Sequence, residues 1–193
     1  MTTLVAPAPA VTVRGAVRSD IADIVMLVNG FAAERVMLPR TPESVEGALH
    51  SFVVAVDAHD RVLACGALKE YSPSLAEVAS VAVAAEAHGM GLGRQIVEAV
   101  EELARQRGVP ELFALTLTPG FFERIGYTVA DVARYPEKIQ RDCVSCPRRQ
   151  ACNEICVVRE LAAVGSSPAE RMAISGVAVP DETNARRRLR IAA

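Results

Sequence analysis

Glu77-Val78-Ala79-Ser80-Val81-Ala82-Val83, followed by Ala84 to Gly93 and then Arg94-Gln95-Ile96-Val97, is the stretch on which the reading of this chain turns. Val78, Val81 and Val83 are β-branched while Ala79 and Ala82 stay small, a run suited to a mostly buried strand with Glu77 at its entrance. Gly89, Gly91 and Gly93 then free the backbone to turn tightly and to approach a ligand closely. Ile96, Val97, Val100, Leu103 and Ala104 recur at helical spacing, so a helix starts near Leu92. Its uncapped N–H groups and positive dipole end point back at the glycines, an arrangement that binds phosphate. The competing reading of such a turn is tight packing alone.

Two common phosphate motifs are excluded by the residues themselves. Gly93-Arg94-Gln95 supplies neither the lysine nor the magnesium-holding hydroxyl of a P-loop. A Rossmann fingerprint has different glycine spacing and follows the first strand of a parallel unit, whereas much sheet-like sequence precedes this loop. The 193 residues, 51% apolar and 23% charged, suit one domain with a full core. A net charge of -2, three tyrosines and no tryptophan argue against a nucleic-acid surface. Neither a signal peptide nor a membrane-spanning run is evident, so a cytoplasmic protein is expected.

Working outward, 1–10 reads as a flexible start, 11–161 as the folded domain and 162–193 as a flexible tail with a basic end. Val11 to Arg14 reads as a first strand. Ser19 is the expected cap of a helix carrying Ile21, Ile24, Val25 and Val28, with its end at Asn29-Gly30. Thr41-Pro42-Glu43 opens another helix running to about Ser51. Phe52 to Val56 and Val62 to Leu68 form a hairpin, and Ser72-Pro73-Ser74 turns the chain into the strand from Glu77. After the long helix, Leu112 to Leu117 is a strand, Thr118-Pro119 caps a short helix carrying Phe121, Phe122 and Ile125, and Tyr127 to Val129 starts a further strand.

His88-Gly89-Met90-Gly91-Leu92-Gly93 resembles motif A of the GNAT acyltransferases, in which Gln or Arg is followed after two residues by Gly and then by Gly or Ala. Gly91 and Gly93 match the small positions and His88 departs from the first. Phe122-Glu123-Arg124-Ile125-Gly126-Tyr127 is similar to a segment that closes many GNAT folds. More narrowly, the chain resembles the acetyltransferase domain of N-acetylglutamate synthases, above all the short form without a kinase domain. Leu38-Pro39-Arg40-Thr41, Cys65 to Lys69, Glu77 to Val83, Leu112 to Thr116 and Phe121 to Glu123 carry that resemblance.

The resemblance implies an α/β GNAT fold, with a mixed, mostly antiparallel sheet flanked by helices and splayed central strands. It implies acetyl-CoA as co-substrate, held by the backbone of Val81, Ala82 and Val83 and by the loop His88, Gly89, Met90, Gly91, Leu92, Gly93 and Arg94. It implies L-glutamate as acceptor, at the head of arginine biosynthesis, with Leu38, Arg40 and Lys69 in the acceptor site. No metal is implied, and a homodimer is compatible with the family. Removing a proton from an ammonium needs a base, and Glu77 is the candidate, acting directly or through water. A GNAT tyrosine that protonates the departing thiolate is replaced by Phe122.

Two other function classes stay open: a GNAT for another amine or a protein N-terminus, and a non-catalytic acyl-CoA-binding or metal-responsive module. The second draws on Cys143, Cys146, Cys152 and Cys156, whose thiolates zinc would accept, although Cys156 falls in a closing strand and reduced packing or surface thiols are the simpler reading.

Overall fold

The computed structural model describes residues 11–161; the flexible segments expected at 1–10 and 162–193 lie outside the described residues. In chain order the elements are β1 (Thr12–Gly15), α1 (Ile21–Ala33), α2 (Pro42–Glu46), β2 (Phe52–Val56), β3 (Val62–Ser72), β4 (Leu75–Val83) and α3 (Leu92–Gln106). They continue with β5 (Glu111–Thr116), α4 (Pro119–Arg124), β6 (Thr128–Ala130), α5 (Pro136–Lys138) and β7 (Ile155–Glu160). A wider π-helical turn, Ile139–Cys143, extends α5.

The strands form one sheet in the order β1-β2-β3-β4-β5-β7-β6. The β4–β5 pair is parallel and the other neighbours are antiparallel, the mixed architecture expected from the sequence. Alternation along β2 divides two cores: Val53 and Ala55 pack toward α3, whereas Phe52, Val54 and Val56 pack toward α1. α3 buries Leu92, Ile96, Val97, Val100 and Ala104 in a single stripe. Gly66 on β3 lets that helix sit close, because a Cβ there would fall 2.5 Å from Ile96 Cγ2. Among the described residues no helix is long and apolar enough to cross a membrane.

Several boundaries differ from those read in the sequence. The entrance to α1 is organised by Asp20 instead of Ser19: the buried carboxylate accepts from the Val17 N–H at 2.7 Å and from Arg14 at 2.6 Å. α1 does not stop at Asn29-Gly30 but runs on to Ala33, since the Asn29 side chain faces outward to another segment instead of closing its own helix. The helix at Pro42 is capped by Thr41 as expected, but ends at Glu46, and a short 3-10 turn follows at Leu49–Ser51. β3 extends four residues past Leu68, and β4 begins at Leu75, so Glu77 is the third residue of its strand and not its entrance.

Candidate active site

Two irregularities in β4 create the site. β4 pairs with β5 only at Leu75, Ala76 and Glu77, after which the two strands part. Backbone groups of β4 beyond Glu77 that point away from β3 therefore have no strand partner on that side. The second irregularity is a β-bulge: Cys65 pairs with Ala82 but Ala67 pairs with Ala79, so β4 carries one extra residue, and Ser80 there has φ of 54°. The bulge reverses the alternation. Ala76 and Val78 before it, and Val81 and Val83 after it, all reach the α3 face, while Ala82 packs toward α1.

A cavity of about 610 Å³ opens where β4 and β5 diverge. Its walls include Leu38, Arg40, Lys69, Glu77, Val81 and Phe122, so the expected acceptor-site and base residues converge on one space. Asn29 holds the Arg40 backbone in a two-way clamp, donating to its carbonyl at 3.0 Å and accepting from its N–H at 2.9 Å. The guanidinium of Arg40 donates to the Ser80 hydroxyl at 3.1 Å. It makes no salt bridge among the described residues, so its charge faces the cavity without an acidic partner.

The other charges are closely matched. Lys138 Nζ donates to Glu77 Oε1 and Oε2, both at 2.9 Å, and to Asp142 Oδ2 at 3.0 Å. Lys69 Nζ donates to Asp142 Oδ2 at 2.7 Å. The Tyr71 hydroxyl lies 2.7 Å from Glu77 Oε2 and against Asp142 Oδ2, with one proton to share between them. Burial and the two carboxylates push the Tyr71 pKa far up, so it remains a donor. Burial opposes the charge of Lys138, but Glu77 and Asp142 outweigh it and hold its pKa above the ordinary value. Burial likewise works against the Asp142 carboxylate, yet Lys69, Tyr71 and Lys138 bring its pKa well below the usual range.

Glu77 thus lies buried at the splay point. The loop stands at the far end of β4. Gly89 and Gly91 have φ of 80° and 75°, and Gly91 is the N-cap of α3, with no side-chain cap and no acid in the first turn. The first N–H groups of α3 consequently have no side-chain cap, a geometry suited to an anionic group such as a phosphate. Gly93 is ordinary helix, with room for a methyl group at van der Waals distance, which accounts for a position where Gly or Ala serves. His88 turns its ring onto the Val83 carbonyl at 3.0 Å, and Arg94 pairs with Glu98 at 2.7 Å. Met90 is exposed and Leu92 is buried beneath the loop.

Phe122 lines the cavity edge-on to Tyr127, with ring centroids 5.2 Å apart, and carries no proton for a leaving thiolate. Cys65 is fully buried, and that burial pushes its thiol up to about 12. Among the described residues no group of three or more His, Cys, Asp or Glu side chains is arranged to hold a metal, so Cys143, Cys146, Cys152 and Cys156 are not gathered into a site. Cys156 is buried in β7 and Cys152 is exposed.

Tyr71, Lys138 and Asp142 escape a reading of the sequence. Two signals bear on them: Lys69 and Tyr71 share a face of β3 whose turn at Pro73-Ser74 sets Lys69 opposite Glu77, and Lys138 and Asp142 stand four apart after a helix-opening Pro136.

Residues 23–127 match the acetyltransferase (GNAT) family. An uncharacterised N-acetyltransferase of Chlorobaculum tepidum is 41% identical over 155 residues, covering 80% of this chain and 99% of the relative. The amino-acid acetyltransferase of Pasteurella multocida is 30% identical over 129 residues, covering 66% of this chain but only 29% of the relative. Among solved structures, N-acetylglutamate synthase from Neisseria gonorrhoeae, complexed with coenzyme A and N-acetyl-glutamate, aligns with a TM-score of 0.72 and 28% identity. That alignment covers 81% of this chain and 36% of the synthase.

Proposed function

The chain belongs to the GNAT family of acetyl-CoA-dependent N-acetyltransferases, and on that premise we propose that it acetylates the α-amine of an amino acid, L-glutamate, acting as an N-acetylglutamate synthase. The observation that carries this reading is the convergence of Arg40, Lys69 and Glu77 on the cavity at the β4–β5 splay. Guanidinium is the geometric match for a carboxylate, and the uncommitted charge of Arg40 would take the acceptor's α-carboxylate. Amino-acid acetyltransferases among the relatives, and a synthase among the structural neighbours, support the acceptor class.

The chemistry follows from what each group has left to offer. A carboxylate accepts at about four lone-pair positions. Lys138 engages two on Glu77 and Tyr71, whose proton is shared with Asp142, a third, which leaves at least one for the acceptor ammonium or a bridging water. Loss of the proton to Glu77 frees the nitrogen lone pair to attack the thioester carbonyl; the C–N bond forms, the C–S bond breaks and CoA leaves with the electron pair. Unpaired backbone N–H groups of β4 beyond Glu77 are suited to hold the carbonyl oxygen as it gains charge. Phe122 donates nothing, so the second proton that the nitrogen loses as the amide forms passes to water, and the thiolate departs as such or takes that proton through the water.

The test is thiol release from acetyl-CoA across a panel of common amino acids and other amines. Release with glutamate, and a large loss of turnover in Glu77→Gln with acetyl-CoA binding retained, is the expected result. Release confined to an unrelated amine would discard the acceptor, and undiminished turnover in Glu77→Gln would discard the base.

A further inference from the structure

Asp142 belongs to none of the roles above, yet it accepts from Lys69 at 2.7 Å and Lys138 at 3.0 Å and contacts Tyr71. Those are the donors a second carboxylate in the cavity would need. We infer that Asp142 is a specificity-determining residue: its carboxylate holds the cations that the acceptor's distal carboxylate requires, so an acidic acceptor enters by exchanging with it. The inference rests on the amino-acid acceptor proposed above.

Three observations converge on the exchange. Among the described residues, charge matching leaves only Arg40, of the three cations lining the cavity, without an acidic partner, so one acceptor carboxylate has an open site and a second must compete. Lys69 is a wall of the cavity and its only ion pair among the described residues is with Asp142, which makes it the cation to be exchanged. Asp142 itself sits on the π-helical turn Ile139–Cys143, and neither that turn nor α5 before it contains a buried residue. Polar contacts of Lys138, Arg141 and Asp142 hold the segment in place of packed apolar surface, so its position answers to which carboxylate the cations meet, and π-turns recur at functional sites.

The same geometry sets a penalty that depends on the acceptor. Exchanging one carboxylate for another keeps the cluster's charge balanced but forfeits the Asp142 contacts. An acceptor whose side chain ends in a carboxamide leaves Asp142 in place. Neutralising Asp142 while keeping its shape should therefore favour the acid over the amide, because Lys69 becomes available without loss of an existing ion pair.

The experiment compares kcat/KM for L-glutamate and L-glutamine in the wild-type protein, Asp142→Asn, Lys69→Met and the double variant, with melting curves to establish that each is folded. In Asp142→Asn the glutamate-to-glutamine ratio should rise about tenfold, one charge-assisted contact's worth, through a lower KM for glutamate. In the double variant that gain should vanish. A ratio unchanged or lowered in folded Asp142→Asn overturns the inference and leaves the proposed acceptor class intact. If Asp142→Asn does not fold, Lys69→Met decides: a greater loss for glutamate than for glutamine upholds the exchange, and equal losses overturn it. Wild-type turnover with neither amino acid would overturn the acceptor reading and this inference together.

Discussion

Lys138 has three N–H donors and meets three carboxylate oxygens, at 2.9, 2.9 and 3.0 Å, in a setting where both it and Glu77 are largely shielded from water. Removing one partner of such a buried pair costs more than the pair contributes, because the other charge is left without compensation. Lys138→Met should therefore destabilise the protein by about 3 kcal/mol, read from denaturant unfolding, with turnover falling as Glu77 loses the contact that orients it. Unfolding and turnover both at wild-type level would mean that water replaces the ammonium without loss. The sequence blocks that contain Glu77, Arg40 and Lys69 singled these residues out, and the fold brings all three to one cavity. Lys138 and Asp142 were not legible in the sequence, since their partners lie 61 and 73 residues away and each alone reads as a surface charge.

At the level of elements, β4 is shaped by what it cannot do: it neither keeps its pairing with β5 nor its alternation. The spacing of Val78, Val81 and Val83, three and then two, breaks the period of a regular strand and is the trace of the bulge in the sequence. The trace is faint because alanines at 76, 79 and 82 are acceptable on either face. Helix boundaries were obscured for a related reason. Asn29 resembles a helix stop by residue type, but its side chain is used to clamp Arg40, a tertiary contact that local propensity does not encode. Opposite the bulge, Gly66 permits the contact of α3 with the sheet. In Gly66→Ala the new methyl would lie 2.5 Å from the branched methyl of Ile96, which is buried and unable to swing away. The helix must shift, at a cost of about 1–3 kcal/mol, and the loop at its N-terminus shifts with it. Lower stability together with a raised KM for acetyl-CoA is the expected outcome; a lowered melting temperature with an unchanged KM would separate the packing of α3 from the cradle.

For the molecule as a whole, the buried carboxylates and the lysine of its polar clusters make stability depend on pH with opposite signs. Asp20, held by Arg14 and Val17 against the effect of burial, and Asp142, held by Lys69, Tyr71 and Lys138, both have pKa values lowered from 3.8. A lowered carboxylate pKa means that the folded state binds its proton less readily than the unfolded chain. The stabilisation is complete above 3.8 and fades as pH falls from there through the folded-state value. Lys138, raised from 10.5, has the reverse sign: its contribution is complete below 10.5 and fades as pH climbs through the folded-state value. Asp142→Asn removes the titrating acid while keeping its outline, so it should be less stable than the wild type at neutral pH. That gap should hold constant down to pH 3.8 and close progressively below it, as the wild-type carboxyl takes up its proton and comes to resemble the amide. Denaturant unfolding of both proteins across that range measures the gap directly. A difference that persists undiminished into the acid limb would mean that Asp142 supports the fold through its shape and not through its charge.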